Sequence, residues 1–239
     1  MRVAVVALVA VLAGICVLAH IAPFPFLLDF VSGNRSVWRK PSPAGDRTVY
    51  LTYDDGPNPD ATPELLDLLR DKQVKATFFL IPNYINASTE PIVRRMAAEG
   101  HTVAVHSADR WLMLRTSPVV AERLRESAAR IEAAGAKPCA MFRPHAGWRS
   151  LTLISGVRRA GFHLAGWSWM TWDWVWFRER KADRVASQIT SHAAPGKIFV
   201  IHDGHHRNPR ADRRYAIEAS ARIIDALRAR GYAFGVLCP

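Results

Sequence analysis

The stretch TVYLTYDDGP, Thr48–Pro57, decides how the rest of the chain is read. Its first six residues are β-branched, aromatic or aliphatic, a composition that predicts a strand. The strand runs straight into two adjacent carboxylates, Asp54 and Asp55, held on a tight turn by Gly56-Pro57. Neighbouring carboxylates repel each other and are costly unless a cation or a proton separates them. Asp60 or Thr62 is available to cap a following helix, so the doublet is not needed for that. It can instead divide labour, one carboxylate holding a metal and the other taking a proton from water.

Working outward, short β-rich runs alternate with helical patterns. The predicted strands are TVYLTY, ATFFLI, TVAVH, AMFR, HLAGW, IFVIH and YAFGVL. Between them, Pro63-Glu64 opens a helix with Leu65, Leu66, Leu68 and Leu69 on its buried stripe. Pro91 to Gly100 and Ser117-Pro118 to Gly135 frame two more, and residues 182–194 and 211–230 supply the last pair. Such alternation specifies an α/β fold with a largely parallel sheet, open or closed into a barrel. Working groups in that architecture gather where strands end. Here Asp54 and Asp55 leave the first strand, His106 ends the third, Arg143 the fourth, Asp173 follows the fifth, and His202-Asp203 end the sixth.

His106 opens the stretch HSADR, in which Arg110 stands four places on, and an arginine cannot ligate a metal. A lone strand-end histidine is weak support for chemistry. His106 gains from its company: His202 ends the apolar run KIFVIH, and His205 and His206 follow in the same loop.

The net charge of +11 and pI near 10.2 invite a nucleic-acid partner. The Lys and Arg are dispersed, however, and no zinc-finger spacing or aromatic ribonucleoprotein pattern occurs, so none is expected. Residues 1–28 carry a basic Arg2 next to Met1 and no formal charge from Val3 to Leu28, which reads as a signal peptide or, lacking a small-x-small cleavage site, a membrane anchor. The expected placement is therefore membrane-anchored and extracytoplasmic, or secreted if the segment is cleaved, although Arg35, Arg39 and Lys40 oppose export. Residues 29–46, rich in Pro, Ser and Gly, read as a linker, and 47–239 as the catalytic domain. Cys139 would open one strand and Cys238 close another, at opposite ends of a parallel sheet, which predicts two separate thiols.

LTYDDGP, HSADR, FRPHAGW, WSWMTWDW and IFVIHDG stand in the order and spacing of the polysaccharide deacetylase family (the NodB-homology domain of carbohydrate esterase family 4), which the chain resembles from about Thr48 to Leu237. The resemblance implies a distorted (β/α)7-type barrel, here preceded by a hydrophobic N-terminal helix. It implies a metal-dependent hydrolase of a non-peptide amide bond, removing the acyl group from an amino-sugar glycan. Asp54 would be the general base and His202 the general acid, with Arg143 and Asp173 orienting them. Asp55 and His106 would bind a divalent cation, zinc first. Tyr53 (through its backbone N–H), Trp174, Ile201 and Arg110 would meet substrate.

Three departures stand out. The family's second metal histidine falls on Arg110, the loop after Arg143 carries His145, and Met170 replaces one of two paired aspartates. Asp109 or His145, with His205 and His206 behind them, are the candidate third ligands. Two alternatives follow: a non-catalytic glycan-binding protein of the cell envelope, its five tryptophans between Trp167 and Trp176 suited to sugar stacking, or a deacylase of a lipid-linked amino sugar met at the membrane.

Overall fold

The computed structural model describes residues 2–19, 25–33, 36–171, 173 and 181–238. Two N-terminal helices, α1 (Arg2–Ala19) and α2 (Pro25–Ser32), precede the barrel. Helix α1 holds 18 residues with Arg2 among them, about 27 Å at 1.5 Å per residue against the roughly 30 Å of a bilayer's hydrocarbon core. Among the described residues no helix is long and apolar enough to cross a membrane. The expected anchor and the localisation built on it are corrected accordingly, and the lipid-linked alternative loses the anchor that motivated it.

Strands β1 (Thr48–Gly56), β2 (Thr77–Leu80), β3 (Thr102–His106), β4 (Met141–Arg143), β5 (His163–Leu164), β6 (Trp169–Met170), β7 (Ile198–His202) and β8 (Ala233–Gly235) pair in parallel, in the order β5-β4-β3-β2-β1-β7-β6, with β8 also on β1. The expected seven runs all appear, and the WSWM stretch adds β6. Helices α3 (Ala61–Asp71), α4 (Glu90–Ala98), α5 (Ser117–Ala133), α6 (Leu151–Arg159), α7 (Ala182–Ser191) and α8 (Arg214–Ala229) lie between the strands. Their apolar stripes, such as Ala216, Ala219, Ile223 and Leu227 on α8, cover the outer face of the sheet.

No ladder joins β5 to β6 among the described residues, which is the distortion of the barrel. Residues 37–39, read from sequence as linker, lie along this seam: Val37 bridges to Ala165 and Arg39 to Lys197. Trp38 packs so closely under Gly166 that a Cβ there would meet its ring at 2.0 Å.

The two cysteines form a disulfide, Cys139–Cys238, with Cα atoms 6.1 Å apart. The expectation of separate thiols fails because β8 is short. It pairs only with Thr48–Tyr50 at the start of β1, and the chain then turns beneath the barrel, where the Leu237 N–H bonds Thr77 Oγ1 at the start of β2. Cys238 therefore reaches the N-terminal edge of the sheet, where Cys139 already sits.

Candidate active site

Alternation along the strands sorts side chains into two layers. Val49, Leu51, Tyr53, Phe78, Val103, Val105, Phe142, Phe199 and Ile201 point out into the helical layer. Tyr50, Phe79, Ala104, Met141 and Ile198 point inward, where Thr52, Asp54, His106, Arg143 and His202 continue their rows at the C-terminal end. Asp54 lies directly across from His202 on β7, and His106 from Arg143 on β4. A strand cannot normally present two consecutive residues on one face. At the end of β1 the register slips, so that Asp54 to Gly56 spans what Phe79 to Leu80 spans on β2, and Asp55 sits at φ 71°. This bulge brings both carboxylates into one cleft, with His106, His145, His202 and His206.

Arg143 is fully buried and fixes Asp54. Its Nη1 donates to Asp54 Oδ1 at 2.6 Å and to Thr52 Oγ1 at 2.8 Å, while Nη2 donates to the Gly166 carbonyl at 2.9 Å. The guanidinium lies over the Phe79 ring, 3.9 Å from its centroid. Such a forked, charge-assisted arrangement holds a carboxylate in one orientation.

On the opposite side, His202 Nδ1 donates to Asp173 Oδ1 at 2.8 Å, and the His202 backbone N–H to Asp173 Oδ2 at 3.0 Å. Burial disfavours a charged imidazole, but the Asp173 carboxylate, reinforced by Asp55 and Asp54, outweighs it and pushes His202 up to about 9. Burial likewise works to raise Asp173, yet the His202 charge holds it below the usual carboxylate range. His202 is thus an imidazolium at neutral pH with Nε2 left for a ligand.

Between them, His106 Nδ1 donates to the Arg143 carbonyl at 2.7 Å. That bond places a proton on Nδ1 and turns Nε2 toward Asp55 Oδ1, 3.2 Å away. Burial works against a charge on His106, but Asp54 and Asp55 outweigh it and raise the imidazole above its ordinary value. Asp55 Oδ1 is buried with no hydrogen-bond partner. Burial raises Asp55, but His106, His202 and His206 together hold it below its ordinary value. A buried carboxylate oxygen 3.2 Å from an imidazole nitrogen, which exposes a lone pair when it gives up its proton, is a donor set that fits a divalent cation. Among the described residues no three His, Cys, Asp or Glu side chains gather closely enough to complete it.

The other expected residues fall unevenly. Asp109 is exposed, and its Oδ1 accepts from the Trp111 N–H at 2.8 Å. His145 lines the cleft with its ring 4.8 Å from that of His206; burial, then the charges of His106 and His206, pull it down to about 4, so it is neutral near pH 7. Arg110 is half-buried beside the cleft, and its charge reaches His145 and His206. Trp174, with Trp172 and Trp176, lies outside the described residues. Trp167 lines the cleft, whereas Trp169 stacks on His192 at 3.6 Å.

Two expectations are corrected. Ile201 is fully buried in the outer, helical layer, and Val200 lines the cleft instead. Tyr53 also points outward, its hydroxyl donating to Ser220 on α8 at 2.8 Å, and its backbone lies mid-ladder between Phe78 and Ile201. Both follow from one-residue alternation: a neighbour of an inward residue faces out.

The sequence assigned nothing to Asn58, offered Thr62 only as a helix cap and Asp203 only as a strand-end residue; all three brace the doublet's turn. Thr62 Oγ1 donates to Asp203 Oδ2 at 2.5 Å, and Asn58 Nδ2 to the Asp203 carbonyl at 3.0 Å. Burial lifts Asp203 to about 7. Tyr215, whose hydroxyl reaches the Asp173 carbonyl at 3.2 Å, was likewise unassigned. Nothing local in the sequence marks these partners, since each pair is far apart along the chain.

A family model described as polysaccharide deacetylase matches residues 42–165. A chitooligosaccharide deacetylase of Bradyrhizobium sp. (strain ANU 289) is 35% identical over 201 residues, 79% of this chain and 88% of that protein. Among solved structures, the Bc1960 peptidoglycan N-acetylglucosamine deacetylase is 25% identical and superposes with a TM-score of 0.71 over 87% of this chain and 94% of its own. A family 4 acetyl xylan esterase from Clostridium thermocellum, solved in complex with a cobalt ion, is 30% identical with a TM-score of 0.68 over 79% and 87%. With the strand-end layer, the bulged doublet and these likenesses in agreement, the chain belongs to the polysaccharide deacetylase family and is an amidohydrolase acting on carbon–nitrogen bonds other than peptide bonds.

Proposed function

We propose that the chain removes the acetyl group from an N-acetylated amino sugar of a glycan, with Asp54 as general base and His202 as general acid. The observation that carries this reading is the pairing across β1 and β7: a carboxylate held by Arg143 stands opposite an imidazolium held by Asp173. Substrate binds with its amide between them. Asp54 takes a proton from the attacking water as its oxygen bonds the carbonyl carbon. His202 then delivers its Nε2 proton to the amide nitrogen as the C–N bond breaks, releasing the free amine and acetate. Asp55 and His106 would hold the divalent cation, which when bound polarises the carbonyl and lowers the pKa of water. Val200, Trp167 and Met170 would wall the site around the acetyl group and sugar.

Release of acetate from N-acetylglucosamine oligomers, with and without added zinc or cobalt, tests this. Activity that disappears in Asp54→Asn while glycan binding persists is the expected result. Glycan binding with no acetate release under any metal would reject catalysis and leave a sugar-binding scaffold.

A further inference from the structure

A tetrahedral metal site needs more than the two donors that Asp55 and His106 supply. Arg110, where the family resemblance places the second histidine, has no lone pair to offer. Asp109 is exposed and spends Oδ1 on its own turn. The replacement must come from another loop, and the loop after β7 is the one built against the doublet. The Gly204 N–H donates to the Asp54 carbonyl at 3.2 Å, and a Cβ on Gly204 would lie 1.8 Å from the Asp55 carbonyl oxygen. That close approach seats residues 204–206 on the Asp55 turn, and Tyr84 pins them further through a 3.0 Å hydrogen bond to the His205 carbonyl.

Within this loop the two histidines differ. His205 Nδ1 accepts from the Arg207 N–H at 3.2 Å and so is turned to its own backbone. The His206 ring lines the cleft with Asp55 and His106, and its ring contacts are with His145 at 4.8 Å and His205 at 4.6 Å between centroids. Beside it, the buried Asp55 Oδ1, 3.2 Å from His106 Nε2 and without a hydrogen bond of its own, lines the same cleft.

Resting on the metal-dependent reading above, we propose that His206 supplies the metal donor that Arg110 displaces, with the His145 ring packed against it as its support. The chain thereby replaces a ligand from the β3 end with one from the β7 end. Binding draws the half-buried His206 ring toward Asp55 and His106, and His145 limits where it can go.

Cobalt(II) titration of the full chain, followed by visible absorption and by zinc competition, tests the assignment without recourse to activity. H206A should weaken binding by more than about 100-fold and alter the cobalt spectrum, exceeding the roughly 10–100-fold cost of losing an outer supporting residue. H145A should fall within that smaller range, and H205A should bind as the wild type. R110H placed in the H206A background should recover affinity, because it returns a histidine to the displaced position. H206Q, with circular dichroism on every variant, separates a lost donor from a lost fold. Unchanged affinity in folded H206A and H206Q, with binding lost in H106A, would overturn the assignment and leave the metal reading standing. Binding by H106A equal to that of the wild type would remove the metal reading itself.

Discussion

Replacing Asp173 by Asn keeps the shape beside His202 and removes the charge that sets its protonation. His202 is lifted from an ordinary 6.5 to about 9, a preference for the imidazolium of roughly 3 kcal/mol at 1.36 kcal/mol per unit. Burial opposes that lift, and the Asp173 carboxylate 2.8 Å away is the largest contribution overcoming it. Without the carboxylate, His202 should return to near 6.5 or below. At about pH 8 its protonated fraction then falls from roughly nine-tenths to a few per cent, and kcat/KM should fall on the order of 30-fold. The wild-type profile of kcat/KM should decline as pH rises through about 9, because the general acid is lost there, and in D173N that decline should move below pH 7. An NMR titration of the His202 ring supplies the same value without turnover. Stability carries the same sign: the folded pKa lies above the unfolded one, so the contribution is complete below about 6.5 and lost as pH rises through about 9. A D173N enzyme whose alkaline limb and His202 titration both stay near 9 would refute the reasoning.

Val200→Phe should obstruct the cleft and raise KM for N-acetyl substrates, at an overpacking cost of about 1–3 kcal/mol at this buried strand position, whereas Ile201→Val should cost about 0.5–1.5 kcal/mol of stability and leave KM alone; the KM distinguishes them. Cys139→Ser with Cys238→Ser opens a covalent link between residues 99 apart, and denaturant titration should show a loss of about 2–5 kcal/mol. Gly204→Ala, whose Cβ would fall 1.8 Å from the Asp55 carbonyl, should force the β7 loop off the doublet; a fall in both melting temperature and activity is expected, and wild-type values would contradict the close packing described.

Much of the fold was legible because the signals are local. A strand of β-branched and aromatic residues, a proline at a helix start and a glycine at its end each act within a few positions, and TVYLTY, TVAVH and IFVIH became β1, β3 and β7 on that basis. The polar residues at strand ends were legible for the same reason, and Asp54, Asp55, His106, Arg143 and His202 do converge. The disulfide was not legible, because it depends on how far β8 travels before the chain turns beneath β2. The seam along residues 37–39 escaped for a similar reason: Pro, Ser and Gly describe a chain without its own regular structure, and say nothing of what that chain lies against.

The errors at the site share one physical origin. A strand end offers two faces, and a polar layer read from sequence does not say which face each neighbour takes. Counting back in twos from His202 reaches Val200 and Ile198, both inward, and skips Ile201. The same count from Asp54 reaches Thr52 and Tyr50 and leaves Tyr53 to the helices. The doublet is the one place where this count fails, and it fails because of the bulge at Asp55. Without that bulge, alternation would send either Asp54 or Asp55 into the outer layer, and base and metal ligand could not share one cleft. The extra residue in β1 is therefore as necessary to the proposed chemistry as the carboxylates themselves. Deleting it would leave Asp54 and Gly56 opposite Phe79 and Leu80 as consecutive pairs of a regular ladder, with only one carboxylate in the cleft.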